Sequence, residues 1–328
     1  MNGMDWPNGT SLAFVIRDDD LSFFTEAEAL VKLYRNAWEK EYKISFAAIP
    51  AIKCVNNLNV PPRHRGTGQV FAIADNSQLI AWLKSKISKK QVDIVQHGLN
   101  HTSEMNLPPI EFDLKNGRLV HKRHYGRQPL TKYSEFADLG ENEAFARVQY
   151  GKKLLEEAVE YPLTVFAPPQ GLLTKPLWTA LFKCGLACAD GVDRIFGQIP
   201  LSSLNVARFS KLALRRVLGK CDLSIHLSRI SSIVTLQTSY RHYWSKFLSE
   251  DIAGKQFKVF QNIFKEKMKA KSYFILLTHH WEYFYDWHDE VTHNIQLRYL
   301  NLLLDWVDEQ ATVWKCTLSE LASWLTQS

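Results

Sequence analysis

The sequence predicts an α/β fold in which a parallel sheet closes into a single barrel. Short apolar runs alternate with amphipathic stretches along the whole chain, the βαβα pattern of parallel sheets and barrels. No Gly/Ser-rich linker or repeat interrupts the 328 residues, a length open to two modest domains or to one large barrel. Polar clusters suited to chemistry stand where apolar strands end, dispersed from residue 18 to residue 280. Ligands of parallel α/β folds bind at those carboxyl ends. One site therefore needs nearly the entire chain around it, which favours one barrel over 1–328, with one insertion, rather than two domains.

Taken in order, Leu12 to Ile16 reads as the first strand. Thr25 to Tyr42 follows as a helix, with Thr25 as its cap and Glu28 three residues on, a capping box that satisfies the free amides of the first turn. Lys43 to Ile49 is a second strand closed by Pro50, which cannot donate to a ladder. Asp75 or Asn76 caps a helix to about Lys90, and Val92 to Gln96 is a third strand ending at His97. The stretch from about Thr102 to Gly140 is rich in proline, glycine and charge. It reads as an insertion without regular structure, a lid or rim over a site, because loops of this length are usually functional or disordered. A helix from Glu141 to Glu160 resumes the alternation. Strands near Thr164 to Ala167, Leu186 to Ala189, Leu223 to His226 and Ser272 to Thr278 follow, with helices around Lys175 to Cys184, Lys255 to Lys269 and His293 to Asp308. Thr312 to Lys315 reads as the last strand and Leu318 to Leu325 as a closing helix, while Gly191 to Ser232 carries the weakest pattern.

Composition narrows the function classes. With 46% hydrophobic and 23% charged residues, the chain is neither disordered nor coiled-coil. A net charge of +6 from 40 basic and 34 acidic residues is a slight excess, and no nucleic-acid-binding signature accompanies it. Two local basic segments, Pro62 to Gly66 and His121 to Arg127, read as solvated loops or as contacts to an anionic substrate. No stretch is apolar and long enough to span a membrane, and Met1 to Thr10 lacks the pattern of an export signal, so a cytoplasmic location is expected. The 5 cysteines are scattered and odd in number, which fits thiols rather than a disulfide framework. Cys184 and Cys188 have no second ligand pair at zinc-finger spacing.

Four strand ends carry the chemistry. Arg17-Asp18-Asp19-Asp20 places three carboxylates directly after a core strand, and adjacent carboxylates repel unless a cation or a proton relieves them. His97-Gly98-Leu99-Asn100-His101 sets two imidazoles four apart at a strand exit, where a glycine lets the chain turn so that both converge. Ala167-Pro168-Pro169-Gln170-Gly171 is a rigid corner whose following amides can serve as oxyanion donors. Leu277-Thr278-His279-His280-Trp281 offers a general acid beside an aromatic wall. The first segment also fits the Asp-x-Asp pattern of a haloacid-dehalogenase-type phosphatase, with Asp18 as nucleophile, Asp20 as acid/base, and Asp190 and Asp193 as magnesium ligands. That reading leaves the histidines without a task.

Taken together, in this order, the four motifs resemble those of the polysaccharide deacetylase (NodB-homology) family over about residues 12 to 325. The resemblance implies an irregular (β/α)7-type barrel of the glycoside hydrolase/deacetylase kind and hydrolysis of an N-acetyl or other acyl group on an amino sugar. By the same resemblance Asp19 corresponds to the catalytic base and His279 to the general acid. Asp20, His97 and His101 correspond to the ligands of one divalent ion, expected to be zinc. The choice of Asp18 with Asp19 instead stays open. Arg17, Pro168, Gln170, His280 and Trp281 fall at the substrate and oxyanion, and Trp281, Tyr283, Trp287 and the 102–140 stretch are candidates for sugar contacts. Two positions depart from the family pattern: its third-motif arginine, which orients the catalytic aspartate, is Ala167 here, and its oxyanion-loop tyrosine is Gln170. Arg17 is the candidate to supply the missing charge. The loss of that arginine also admits a barrel that binds glycan without turnover. Without an export signal, the expected substrate is a nucleotide-linked or lipid-linked acetamido sugar, an intermediate of surface-polysaccharide synthesis.

Overall fold

The computed structural model describes residues 5–57, 59–102, 110–113, 118–121, 135–190, 233–242, 249–284, 290–310 and 312–327. In chain order these form β1 (Leu12–Leu21), α1 (Ala27–Glu39), β2 (Ile44–Ala48), β3 (Ala51–Lys53), β4 (Val70–Ala72), α2 (Ser77–Ser88) and β5 (Val92–Gln96). There follow β6 (Ile110–Asp113), β7 (Arg118–His121), α3 (Glu141–Val159), β8 (Val165–Phe166), α4 (Lys175–Cys184) and β9 (Ala187–Ala189). The last are β10 (Thr235–Leu236), β11 (Tyr240–Arg241), α5 (Glu250–Lys269), β12 (Tyr273–Thr278), α6 (Glu290–Gln310), β13 (Val313–Lys315) and α7 (Leu318–Gln327).

The main sheet is parallel and runs β10-β9-β8-β5-β2-β1-β12-β11. Its two edge strands are neighbours in sequence, joined by Gln237, Thr238 and Ser239 alone. That short span bridges the seam: the Gln237 amide donates to the Tyr273 hydroxyl at 2.9 Å, and the Ser239 amide to the Ile275 carbonyl at 3.0 Å. The sheet thus curls into an α/β barrel. β13 pairs with β1 at Leu12 to Phe14, and β2 pairs with β1 from Ile16 onward, so the two share one edge of a long strand.

Alternation along β1 sorts the core into two layers. Ala13 and Val15 point into the barrel with Ala47, Val95, Ala167 and Ile275, small side chains that suit a narrow interior. Leu12, Phe14 and Ile16 face the helices, where Phe14 stacks on Phe274 at 5.4 Å and Phe260 meets Phe274 edge-on at 5.1 Å. Much of the aromatic content therefore packs the outer layer, where each ring removes a large apolar surface from water.

Several expectations need correction. The first strand does not stop at Ile16 but runs to Leu21, because β12 pairs with it as far as Asp18 and β2 beyond that. The Thr25 capping box does not form. Glu26 occupies the cap position without a side-chain bond, and the Thr25 hydroxyl instead accepts from the Ser22 amide at 3.0 Å. At α2 the expected Asn76 cap is present, accepting from the Leu79 amide at 3.0 Å. The 102–140 stretch is not wholly irregular, since β6 and β7 pair as an antiparallel hairpin. α5 starts earlier than Lys255, at Glu250 behind a Ser249 cap. The strand expected at Leu223 to His226 lies outside the described residues. Among the described residues, no helix is long and apolar enough to cross a membrane.

Candidate active site

Alternation and one irregularity distribute the three aspartates. Arg17 and Asp19 continue the inward series of Ala13 and Val15, whereas Asp18 belongs with Phe14 and Ile16 on the helix side. Asp18 is fully buried, accepting from the Tyr34 hydroxyl, from Thr278 Oγ1 at 3.2 Å and from His280 Nδ1 at 2.7 Å. A carboxylate so enclosed has no face to offer a substrate, which removes the phosphatase arrangement with Asp18 as nucleophile. Asp20 should share that side. Instead its φ of +72° and a register shift between Asp19 and Leu21 against β2 make a bulge that re-aims its side chain. The pair at the barrel mouth is Asp19 with Asp20.

Around Asp20 three potential ligand atoms converge. His97 Nε2 lies 3.3 Å and His101 Nε2 3.1 Å from Asp20 Oδ1, and one ligand atom from each residue falls within 4.8 Å of the others. His97 Nδ1 is 2.8 Å from the Ala167 carbonyl, which can only accept. Nδ1 therefore carries the proton, and neutral His97 turns the lone pair of Nε2 toward the site. Among the described residues, Asp20 Oδ1 is buried with no hydrogen-bond donor. Lone pairs aimed at lone pairs repel, so this arrangement fits a cation. Burial, above all, lowers the His101 pKa to about 4, leaving the ring neutral at pH 7. Burial works against the charged form of Asp20 too, but His101 and His97 outweigh it and hold that carboxyl well below the usual range. Burial likewise disfavours a charged His97, yet Asp19 and Asp20 raise its pKa; without a metal, a proton on Nε2 is the alternative bridge to Asp20. The Asn59 amide stands 3.5 Å from His101 Nδ1, and its Oδ1 is otherwise unpartnered. With the amide turned so that Oδ1 accepts from Nδ1–H, His101 too presents a bare Nε2.

The loop between the histidines is clamped by Glu135, whose buried carboxylate accepts from the amides of Leu99 at 3.1 Å, Asn100 at 3.0 Å and His101 at 2.9 Å. Gly98 makes this possible. It sits at φ +69°, and a Cβ there would strike Glu135 and come within 2.7 Å of Pro169.

Asp19 is satisfied in a different way. Arg17 meets it with two bonds of 2.6 Å, Nε to Oδ1 and Nη2 to Oδ2, a bidentate pairing with both groups buried. Arg17 Nη1 then reaches Asp190 at 3.3 Å, and Asp190 meets Arg241 Nη2 at 3.1 Å. Burial disfavours the charge on Asp190, but Arg241 and Arg17 hold its pKa down.

The remaining expected residues divide. His279 lies at the mouth, its side chain 13% exposed, with Nδ1 3.6 Å from Glu282 Oε1. Burial is the main cause that lowers its pKa, against Asp20, Asp19 and Asp18. Burial, reinforced by Asp20 and Asp18, raises the Glu282 carboxyl well above its ordinary range. His280, expected at the substrate, turns inward: Asp18 takes Nδ1, and Thr25 Oγ1 lies 3.0 Å from Nε2. Trp281 donates from Nε1 to Asp20 Oδ2 at 2.9 Å, so its polar edge serves the aspartate and its ring is buried rather than open for stacking. Tyr283 is also buried, and Trp287 lies outside the described residues. Pro168 leads into a turn in which Gln170 (φ +57°) and Gly171 (φ +63°) are both left-handed, closed by the Gly171 amide donating to the Pro168 carbonyl at 2.9 Å.

No family profile and no curated protein sequence matches the chain. Solved structures do. A protein from Mycobacterium smegmatis assigned as a polysaccharide deacetylase superposes with a TM-score of 0.56 at 11% identity, covering 100% of this chain and 94% of that one. This chain has the polysaccharide deacetylase fold. The Xyl-CE4 domain of a multidomain xylanase from the hindgut metagenome of Trinervitermes trinervoides is similar at lower scores (TM-score 0.46, 8% identity, 94% and 89% coverage). So is the polysaccharide deacetylase Bc1974 from Bacillus cereus (TM-score 0.44, 10% identity, 91% and 88% coverage).

Within this deacetylase fold, sequence reasoning missed Glu135, Asn59 and Arg241, and saw Asp190 only as a magnesium ligand for the phosphatase alternative. Asp190 directly follows β9, so the strand-end rule that flagged the other motifs points to it as well. Glu135 and Asn59 lie in loops, with no local pattern to mark them.

Proposed function

We propose that the protein is a metal-dependent carbohydrate deacetylase that removes an N-acetyl or related acyl group from an amino sugar. The observation that carries this reading is the contrast between adjoining residues of β1: an Asp20–His97–His101 cluster of acceptor atoms that calls for a cation, beside Asp19, which Arg17 holds by both oxygens. Two imidazoles and one carboxylate suit zinc or a similar first-row ion. When held there, a divalent cation supplies an electrophile that acidifies water and polarises the acyl carbonyl.

The chain's own residues do the rest. Asp19, oriented by both arms of Arg17, accepts the proton of the attacking water. The backbone amide of Gln170, in the turn after Pro168 and Pro169, is the candidate donor to the oxyanion. His279 gives its proton to the departing amine, and because burial lowers its pKa, the rate falls as pH rises through that value. Arg17 takes over the orienting role left vacant at Ala167. The substrate class is an acetamido sugar, nucleotide-linked or lipid-linked, as an intermediate of surface-polysaccharide synthesis in the cytoplasm.

Acetate release from a panel of acetamido sugars by zinc-loaded protein tests the reading. Turnover is expected, with Asp19→Asn lowering kcat by about 10²–10⁴-fold while the metal stays bound. Bound metal without acetate release from any sugar supports a glycan-binding barrel instead.

A further inference from the structure

Asp18 pairs in register with Thr278 at the last step of β1 against β12. It therefore stands one residue before Asp19 on its own strand and beside the residue that precedes His279 on the next. His279 is still extended, at φ −139° and ψ 111°, so the side chains of 278 and 280 leave the chain on one side and that of 279 on the other. Thr278 continues the helix-facing series of Phe274 and Leu276. Both neighbours of His279 end on the same carboxylate: Thr278 Oγ1 donates to Asp18 Oδ2 at 3.2 Å, and His280 Nδ1 to Oδ1 at 2.7 Å. His279, between them, is left on the side of the barrel mouth.

The anchors are themselves held. Tyr34 of α1 donates to Asp18 and lies 2.6 Å from Thr278 Oγ1. A carboxylate only accepts, so His280 Nδ1 carries a proton. On the other side of the ring, Thr25 Oγ1 lies 3.0 Å from Nε2 and accepts from the Ser22 amide at 3.0 Å, which fixes the imidazole at both nitrogens. Asp18, Tyr34, Thr278, His280 and Thr25 are all buried, so none of them is open to a substrate. Burying a carboxylate is more costly than apolar packing of the same volume. What Asp18 supplies in return is one arrangement of β1, α1, β12 and the turn after β12, all of which meet at its two oxygens.

We infer that Asp18 is a positioning residue: by holding Thr278 and His280 it fixes the residue between them, the general acid His279, at a set place relative to the base Asp19. The inference rests on the deacetylase reading for the roles of Asp19 and His279. It gives the buried pair of Asp18 and His280 a task in a reaction that neither of them touches.

The test separates protonation of the leaving group from the rest of the reaction. An amine departs only when protonated, whereas 4-nitrophenolate departs without a proton, so a displaced His279 slows amide hydrolysis more than hydrolysis of an activated ester. kcat and KM of zinc-loaded protein are measured on N-acetylglucosamine, on its 1-phosphate and on 4-nitrophenyl acetate, with zinc content and crystal structures alongside. His280→Gln carries its amide to the place of Nε2 and gives up Asp18, whereas His280→Asn keeps an N–H near the place of Nδ1. Thr278→Val removes the hydroxyl and Thr278→Ser keeps it. A misplacement of about 1 Å can cost about 10²-fold, so His280→Gln should lower kcat on the sugar by about 10–10²-fold, with KM and zinc content unchanged and the ester rate within about threefold of wild type. His280→Asn should recover most of the loss. Thr278→Val should show a smaller loss, again confined to the sugar and absent in Thr278→Ser, and it decides the question if His280→Gln does not fold. A wild-type kcat in His280→Gln and Thr278→Val, or equal losses on sugar and ester, overturns the inference. If wild type releases acetate from neither sugar, it is the deacetylase reading that fails. The crystal structures then decide the inference alone: a His279 ring displaced in the variants upholds it, and one that keeps its place overturns it.

Discussion

Asp19 and Asp20 are neighbours on one strand and almost equally buried, at 5% and 6% exposure, yet their surroundings treat them in opposite ways. Asp19 sits in the ionic half of the barrel mouth, where Arg17, Asp190 and Arg241 alternate in sign and the donors meet acceptors at ordinary distances. Asp20 sits in the histidine half, where Trp281 satisfies one oxygen and the other faces two imidazole nitrogens. Taking a carboxylate out of water costs several kcal/mol unless something replaces the lost hydration. The ionic half contains its own replacement; the histidine half has the shape of a replacement that must come from outside. Nearby, Glu282 shows a third solution, since burial pushes its carboxyl toward the neutral form. Three buried acids within one site thus call for three kinds of relief: an arginine at Asp19, the proposed cation at Asp20 and a proton at Glu282.

The largest effect should come from breaking the ionic half. Arg17→Gln leaves Asp19 and Asp190 short of their shared partner, and removing one member of a buried pair costs about 3–5 kcal/mol. Urea unfolding should register that loss, and acetate release should fall with it because Asp19 is no longer oriented. Arg17→Lys should recover little, since an ammonium cannot present the two parallel donors that hold both oxygens of Asp19. If Arg17→Gln matched wild type in stability and turnover, Arg17 would not be the substitute for the charge missing at Ala167.

A smaller effect distinguishes the proton solution from the other two. The Glu282 pKa is raised in the fold, whereas an unfolded glutamate ionises near about 4.3. Below that pH both states are protonated and nothing is lost. As pH rises from there toward the folded value, only the unfolded state releases its proton, so wild-type stability declines. Glu282→Gln removes that dependence. Its Tm relative to wild type should change little near pH 4 and rise by a few degrees by pH 8, at about 2–4 °C per kcal/mol for a chain of this order of size. A Tm difference that stays constant from pH 4 to pH 8 would show Glu282 to be ionised in the fold.

The sequence discloses the barrel well because its strands are short apolar runs and its chemistry lies at their ends. Asp20, His97 and His101 could be named because the motifs that hold them resemble those of the polysaccharide deacetylase family, and Arg17 because it shares a strand with Asp19. Which aspartate faces which layer was not legible. Alternation alone puts Asp18 and Asp20 together, and only the positive φ at Asp20 separates them. Paired histidines and an indole after β12 read as a general acid beside an aromatic wall, and a short turn of 3-10 helix from His280 to Tyr283 buries His280 and Trp281. The sequence between β6 and β7 holds a turn signal, Asn116-Gly117, but the charge and proline around it read as a loop, which hides the hairpin. Glu135 clamps the amides of 99–101 from far along the chain, and no local pattern predicts such a contact.

The histidine half is the more decisive of the two, and metal content measures it. Wild type, Asp20→Asn, His97→Ala and Asp19→Asn are to be purified with zinc present, dialysed and assayed for metal per chain. About one ion should remain in wild type and in Asp19→Asn, and it should be lost in Asp20→Asn and His97→Ala. A wild type that retains no ion, or variants of Asp20 and His97 that retain it fully, would contradict the assignment of this cluster as a metal site.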